Sequence, residues 1–365
     1  MRFEPYFRWY MQEYFKRKKS TLNYPDGCVM TGAQGIYCAS GQKEYLEAVL
    51  RFGDMYVEQT GDVTGYDPKI HNIDQLRCGT VFLWLYKKTG EEKYRKAANM
   101  FRDNLADFPR TSGGNFWHKE IYPYQVWLDG LYMGLVFYVE YGLIFDEPQN
   151  LEDALAQFSN VRKLLYVAET GLYKHAYDEK KEQPWADRNT GLSPSYWGRA
   201  AGWYIMALVD CFELLPEKEK EGRRLLGSLL SEAVSGLIRY EDSTGLFRQV
   251  LDQPHFPGNY LETSASAMAA YVMMKGTRLG ILPETMWKRG EQILEAIDCL
   301  KLVEKEGRLH LTDICASAGL GPGNRRNGSV EYYLSEARED DNAHGAAACM
   351  MAYGEWLRGN KNEKG

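Results

Sequence analysis

The sequence contains no long apolar run and does not begin with one. No uncharged apolar segment approaches the roughly 20 residues that a membrane-spanning helix needs. The first six residues include Arg2 and Glu4 and lack the apolar stretch of a secretory signal. We therefore expect a protein without membrane spans that resides in the cytoplasm.

Cysteine is scarce, and the residue types that bind metals are scattered. The seven cysteines form no C-x-x-C pair, and the six histidines show no spacing typical of metal ligands. This pattern predicts reduced cysteines in the core of an intracellular protein. The sequence also lacks G-x-S-x-G, G-x-x-x-x-G-K-[ST] and H-E-x-x-H motifs. We expect neither a metal ion nor another cofactor.

A basic surface is also absent. The net charge is −6, with 44 Lys and Arg against 50 Asp and Glu, which argues against nucleic-acid binding. A local pocket of cationic side chains for a small anion remains compatible with this composition. Aromatic residues make up 13% of the chain, including 26 Tyr and 9 Trp, a richness that suits both sugar stacking and large apolar cores.

The pattern of apolar residues predicts an all-α protein. About twelve helices follow from the periodicity and from Gly and Pro turns. Their predicted ranges are 3–18, 27–39, 42–59, 72–89, 91–107, 122–142, 149–169, 194–215, 217–240, 260–280, 283–300 and 341–358. Without a linker or low-complexity stretch, residues 1–365 are interpreted as one domain.

The predicted helices alternate in character along the chain. The segment 217–240 has one apolar stripe opposite a charged face, whereas segments 126–139, 203–214, 265–274 and 343–353 are apolar almost all round. Amphipathic helices that alternate with buried ones predict an outer and an inner layer. Six hairpins that close on themselves would form an (α/α)6 barrel with inner and outer helix rings, and an open helical solenoid is the alternative.

One carboxylate interrupts an inner helix. Asp129 lies in the otherwise apolar segment 126–139. Burial disfavours the charged form of a carboxyl group, so we expect a raised pKa, as a general acid at neutral pH requires. The structural alternative is that Asp129 caps a helix or pairs with a buried arginine.

Other polar groups cluster where inner helices are predicted to begin. Arg199 has the geometry to hold a carboxylate in a bidentate manner, and Trp197 and Trp203 offer flat faces to a sugar ring. Alternatively, the tryptophans belong to the core and Arg199 is the structural partner of Asp129. Asp74 opens another helix, where an acidic residue also favours the helix dipole. His175 lies in a long connection that could border the same mouth.

Four segments resemble glycoside hydrolase family 105. They are residues 127–133 (WLDGLYM), 175–178 (HAYD), 197–203 (WGRAAGW) and 259–268 (NYLETSASAM), in matching order. Enzymes of that family are unsaturated rhamnogalacturonyl hydrolases with an (α/α)6 barrel. The resemblance implies a substrate with a C4=C5 double bond in its terminal uronic acid, left there by a polysaccharide lyase.

The resemblance also implies a mechanism and a set of site residues. Asp129 would donate a proton to C4 and take one from the water that adds at C5. The hemiketal formed would then open and release the neighbouring sugar. The residues expected to bind this small oligosaccharide are Tyr24, Asp74, His118, Lys119, Trp127, Met133, His175, Trp197, Arg199 and Trp203, with Tyr24 resting on a weaker match near the N-terminus.

The sequence also allows two alternatives to a rhamnogalacturonyl hydrolase. Related family 88 enzymes act on unsaturated glucuronyl disaccharides from glycosaminoglycans, and Arg325, Arg326 and Ser329 would suit a sulfate in such a substrate. From a different class, the chain could be a non-catalytic helical sugar-binding protein.

Overall fold

The computed structural model describes residues 1–16 and 21–362, with side chains as far as residue 359. Within these residues the chain forms thirteen helices and six short strands. The outer helices are α1 (Phe3–Tyr14), α3 (Lys43–Tyr56), α5 (Glu92–Ala106), α7 (Pro148–Leu165), α9 (Lys220–Leu237) and α11 (Glu284–Leu300). In the same part of the chain, no helix has both the length and the apolarity that a membrane crossing requires.

Six further helices form an inner layer. They are α2 (Tyr24–Ser40), α4 (Arg77–Thr89), α6, α8 (Gly198–Leu214), α10 (Thr263–Arg278) and α13 (Ala343–Asn362). Helix α6 consists of Leu128–Gly130, a π-helical turn over Leu131–Leu135, and Val136–Ile144. The remaining helix, α12 (Val330–Ser335), lies between α11 and α13.

The inner helices contact one another in cyclic order. Helix α2 packs on α4, α4 on α6, α6 on α8, α8 on α10, α10 on α13, and α13 on α2 again. The two layers differ as the sequence predicts: nearly every residue of α8 and α10 is buried, whereas α3 buries a single stripe. The mostly helical class is thereby confirmed, and the contacts close a ring.

Some of the predicted helix bounds were wrong, and three small two-stranded sheets were not predicted. The helix predicted over 122–142 begins only at Leu128, because β1 (Gln125–Trp127) pairs antiparallel with β4 (Ala176–Asp178). Two more small sheets join β2 (Tyr166–Val167) to β3 (Leu172–Tyr173), and β5 (Leu302–Lys305) to β6 (Arg308–Leu311). The range 72–89 also begins as a 3-10 turn, Ile73–Leu76, and α12 was not predicted.

Glycine allows α6 to lie against the turn that precedes α4. A Cβ atom at Gly134 would lie 2.6 Å from Cγ1 of Ile73, far inside van der Waals contact. Because Ile73 immediately precedes Asp74, this close approach brings Asp74 near the first turn of α6, which carries Asp129. The π-helical turn follows directly, and such turns occur often at functional sites.

Candidate active site

Polar side chains gather at the N-terminal ends of the inner helices. Asp129 lies in the first turn of α6, Arg199 in that of α8, and His344 in that of α13. The Glu262 side chain caps α10 by accepting a hydrogen bond from the backbone N–H of Ala265. Because these helices point the same way around the ring, their polar ends converge on one mouth.

Asp129 is one end of a hydrogen-bonded chain of three side chains. Nε2 of His175 lies 3.0 Å from Oδ2 of Asp129, and Nδ1 of His175 lies 2.6 Å from the hydroxyl oxygen of Tyr333. His175 and Tyr333 are fully buried, whereas the Asp129 side chain is 13% exposed. Asp129 is therefore the member of the chain that faces the mouth.

The pKa of Asp129 is lowered, so the prediction of a raised value was wrong. Burial raises the pKa of this carboxyl, but the nearby His175 and, to a smaller extent, His118 lower it by more. The structural alternative, in which Asp129 pairs with Arg199, is wrong as well, because the Asp129 carboxylate contacts His175 instead. Asp129 is consequently a carboxylate at neutral pH in the unliganded protein.

A second acidic residue lies beside this chain. Oδ2 of Asp74 lies 2.6 Å from Nζ of Lys119 and Oδ1 lies 3.8 Å from Nε2 of His118. Burial lowers the pKa of His118 to about 4, so His118 is neutral at pH 7 and its contact with Asp74 is not an ion pair there. Burial also lowers the pKa of Lys119, but Asp74 raises it by more, and Lys119 remains charged.

Aromatic rings stack along one wall. The ring of Trp127 lies 4.2 Å from that of His118 and 4.9 Å from that of Tyr122, both nearly parallel to it. The centroids of the Trp127 and His175 rings lie 5.2 Å apart, and the two rings are at 70° to each other. Three residues that the sequence assigned to the substrate site, His118, Trp127 and His175, are thus brought together.

Arg199 is buried with part of its hydrogen-bonding capacity unused. Its Nη1 donates to the backbone oxygen of Cys315 at 2.6 Å and to Oγ of Ser264 at 3.3 Å. The Glu262 carboxylate lies 3.9 Å away, but it accepts hydrogen bonds from Ser264, Ala265 and Cys315 instead. Nε and Nη2 of Arg199 have no partner among the described residues. These two nitrogens share one edge of the guanidinium plane.

Arg199 and Asp129 are linked through Trp197. The guanidinium carbon of Arg199 lies 4.8 Å from the centroid of the Trp197 ring, and that ring lies 5.0 Å from His175. Nε1 of Trp197 donates to Gln249, whose amide in turn donates to the backbone oxygen of Tyr333. The free edge of Arg199 is therefore held in the same group of residues as Asp129.

The remaining predicted residues, Tyr24, Trp203 and Met133, lie on three different inner helices. The hydroxyl of Tyr24 is 2.6 Å from Nε2 of His344, and the Tyr24 ring meets Trp203 edge-on at 6.5 Å. Burial and then Asp74 raise the pKa of Tyr24, while Arg199 lowers it. Met133 is buried in the π-helical turn, about one helical turn beyond Asp129.

Sequence reasoning missed two residues of this group, Tyr333 and His344. His344 carried a usable signal, because it is a polar residue at the start of an otherwise apolar inner helix. Tyr333 gave none, since no helix was predicted between residues 300 and 341. Among residues 1–16 and 21–362, no group of three or more His, Cys, Asp or Glu side chains is arranged to hold a metal ion.

The amino-acid sequence is similar to known glycoside hydrolases. Residues 5–359 match the model of Glycosyl Hydrolase Family 88. An unsaturated rhamnogalacturonyl hydrolase of Bacillus subtilis is 30% identical over 293 residues, which cover 79% of this chain and 78% of that protein.

Two solved structures have the same overall arrangement. A family 105 glycoside hydrolase from C. acetobutylicum is 39% identical, with a TM-score of 0.89, over 92% of this chain and 94% of that one. The unsaturated glucuronyl hydrolase of Bacillus sp. GL1 has a TM-score of 0.69 over 93% of this chain and 88% of that one. At 16% identity the latter shows only a common fold.

Proposed function

Because this chain belongs to Glycosyl Hydrolase Family 88 and is a glycoside hydrolase of the family 105 type, we propose that it releases a terminal C4=C5 unsaturated galacturonyl residue from rhamnogalacturonan-derived oligosaccharides. The observation that carries the proposal is the free guanidinium edge of Arg199 in the same polar group as Asp129. Membership of a hydrolase family removes the alternative of a non-catalytic sugar-binding protein.

Arg199 binds the carboxylate of the unsaturated uronate. Its Nε–H and Nη–H groups on one edge match the two oxygens of a carboxylate, and a buried cation with unused donors favours such an anion strongly. Hydrogen bonds to Cys315 and Ser264 fix the guanidinium plane before the ligand arrives. The Trp197 ring packs against the guanidinium group and helps to hold it in place.

Asp129 carries out the chemistry as both acid and base. Its carboxyl proton passes to C4, and the electron pair of the C4=C5 bond forms the new C–H bond. Positive charge then develops at C5 and on the ring oxygen. Water adds at C5 and returns one proton to Asp129. The hemiketal opens at the bond between C5 and the ring oxygen, and C1 then releases the second sugar as an alcohol, so that one water is consumed per bond cleaved.

His175 and Tyr333 prepare Asp129 for these steps. Burial raises the pKa of the Tyr333 hydroxyl, which therefore stays protonated. It donates a hydrogen bond to Nδ1 of His175. His175 is then left with its proton on Nε2, which donates to Oδ2 of Asp129. This leaves Oδ1 for the proton that C4 receives. A bound substrate carboxylate adds a like charge and excludes water, and both effects raise the pKa of Asp129 toward the acid form.

The proposed architecture is a single (α/α)6 barrel. The cyclic contacts of six inner helices, backed by six outer ones, support closure over an open solenoid. We also propose a cytoplasmic location, which the scarcity of cysteine favours. The prediction that the cysteines lie in the core was wrong for Cys38 and Cys299, which are exposed.

The identity of the second sugar is the finer part of the proposal. The Bacillus subtilis relative is named for rhamnogalacturonyl substrates, which favours that class. Two residues considered for sulfate binding have other roles: the Ser329 hydroxyl caps α12, and Arg326 lies 3.6 Å from Glu336.

The test is a comparison of substrates. Unsaturated rhamnogalacturonan disaccharide and an unsaturated glycosaminoglycan disaccharide are incubated separately with the protein, and the ultraviolet absorbance of the conjugated double bond is followed. We expect faster loss with the rhamnogalacturonan substrate. A faster loss with the glycosaminoglycan substrate would instead assign the glucuronyl function, and no loss with either would reject the proposed chemistry.

A further inference from the structure

A second polar cavity lies at the other end of the helix ring. It has a volume of about 180 Å³ and is lined by residues from all six inner helices, mostly from their C-terminal halves. The candidate active site is formed at the N-terminal ends of the same helices, so the two sites lie at opposite mouths. Exposed Cys38 and partly exposed Trp84 border the cavity on its solvent side.

Arg77 forms the inner end of this cavity. Its guanidinium carbon lies 4.1 Å from the ring centroid of Tyr132, and the same ring stacks on Trp203 at 5.0 Å. Because both neighbours lie against a ring face, they occupy opposite faces of Tyr132. The Tyr132 ring thus separates Arg77 from Trp203 of the candidate active site.

Among the described residues, no carboxylate lies within ion-pair distance of Arg77, and Asp210, the acidic residue that acts on it electrostatically, is itself paired with Lys275. Arg77 is 1% exposed; its Nη2 donates to Oγ1 of Thr31 at 2.9 Å, and the Cys28 thiol lies beside its guanidinium group. The nearby Cys28 thiol is neutral, because burial raises its pKa to about 12. A buried cation without a counter-charge is costly, by several kcal/mol in real proteins.

The carboxylates that line the cavity are paired with other cations. Glu140 contacts Lys87 at 2.6 Å, and Asp210 contacts Lys275 at 2.9 Å. The other two, Glu213 and Glu355, contact Arg278 at 2.8 and 2.7 Å. Arg77 is therefore the cation of this lining that lacks an ion-pair partner within the described residues.

The unused hydrogen-bonding groups beside Arg77 include several donors. Nε and Nη1 of Arg77, Nε2 of Gln34 and the hydroxyl of Thr80 are all buried without a hydrogen-bond partner in the part of the chain that is described. Thr31 and Gln34 lie one turn apart on α2, as Arg77 and Thr80 do on the neighbouring α4, so each pair shares a helix face. Donors next to an uncompensated positive charge suit an acceptor-rich anion.

We propose that this cavity is a binding site for a small oxyanion, of the size of inorganic phosphate or a short carboxylate, held by Arg77 with Gln34 and Thr80. The anion supplies the counter-charge of Arg77 and accepts the unused N–H and O–H groups. It enters from the mouth opposite the candidate active site. The site is independent of the proposed hydrolase activity.

The experiment measures thermal unfolding of the full-length protein. Sodium phosphate and sodium acetate are titrated separately, with the ionic strength held constant by a bulky sulfonate salt. We expect the unfolding temperature to rise by about 2–3 °C at a tenfold excess over the dissociation constant. Isothermal titration calorimetry should report one site per chain.

Arg77→Met removes the charge while keeping the length of the side chain. We expect it to unfold no earlier than the wild type in the absence of anion, because a buried unpaired charge is gone, and to lose the response to phosphate and acetate. The matched control is Arg95→Met on the outer surface, which should respond like the wild type.

A second variant guards against failure of Arg77→Met to fold. Gln34→Leu removes one donor and should weaken anion binding several-fold. The proposal is overturned if neither anion shifts the unfolding of the wild type, or if Gln34→Leu and Arg77→Met respond as strongly as Arg95→Met. That second outcome would mean an adventitious ion only.

Discussion

The hydroxyl oxygen of Tyr333 lies 2.6 Å from Nδ1 of His175, across 158 residues of sequence. In the proposed mechanism the Tyr333 hydroxyl donates to Nδ1, so that Nε2 of His175 carries the proton and donates to Asp129. Two side chains, one from the loop before β4 and one from α12, thus act on the Asp129 carboxyl group of α6.

Tyr333→Phe should therefore impair turnover more than binding. The variant keeps the ring that stacks on Trp197 but loses the hydrogen bond to His175. Since a single hydrogen bond contributes about 1 kcal/mol, we expect kcat to fall by roughly 5- to 10-fold with KM nearly unchanged. Steady-state kinetics test this. Equal effects on kcat and KM, or none, would show that Tyr333 has only a packing role.

His175→Gln should raise the pKa of Asp129. His175 is the main group that lowers this pKa, and in its absence the contribution of burial, which raises it, becomes dominant. Carbon-13 NMR of labelled aspartate follows the titration directly, with Asp129→Asn used to assign the signal. An unchanged or lower pKa in the variant would contradict this account of the site.

Arg199→Lys should weaken recognition of the substrate carboxylate. Lysine keeps the charge but loses the two parallel N–H groups, so we expect kcat/KM to fall about 10- to 100-fold. The methyl ester of the same substrate removes the carboxylate charge and should be handled alike by both enzymes. Arg95→Lys on an outer helix is the matched control. A loss of equal size with the ester would assign Arg199 a purely structural function.

His118 should make stability depend on pH. Its pKa in the folded protein, about 4, lies below the ordinary value of 6.5, so the unfolded chain binds the proton more readily. The stabilisation from neutral His118 is complete above pH 6.5 and is lost as the pH falls toward 4, by about 3 kcal/mol in total.

Urea unfolding across that pH window measures the effect. His118→Phe keeps the stacking with Trp127 and should lose less stability on acidification than the wild type. His255→Gln, at an exposed position, should follow the wild type. Identical pH dependence for His118→Phe and the wild type would argue against a lowered pKa of His118.

Much of the helical framework could be predicted from the sequence, because local rules determine it. The all-round apolar character of α8 and α10 indicated inner helices, and both are buried on every side. The polar exceptions on such helices, Asp129 and Arg199, indicated the mouth of the ring. His344 obeys the same rule and could have been found in the same way.

What could not be predicted depends on partners far away in sequence. Residues 125–127 form a strand because they pair with residues 176–178. Burial raises the pKa of Asp129, but His175, 46 residues away in sequence and 3.0 Å away in space, lowers it by more. Burial can be estimated from a pattern, but the position of a hydrogen-bond partner cannot.

The proposed hydration of the C4=C5 bond by Asp129 is tested most directly by NMR of the products formed in deuterated water. The account predicts that the wild type places deuterium at C4 of the released uronate as the double bond disappears. Asp129→Asn should bind the substrate but should neither incorporate deuterium at C4 nor consume the double bond. Release of the second sugar with the double bond intact, or deuterium incorporation at the wild-type rate by Asp129→Asn, would contradict it.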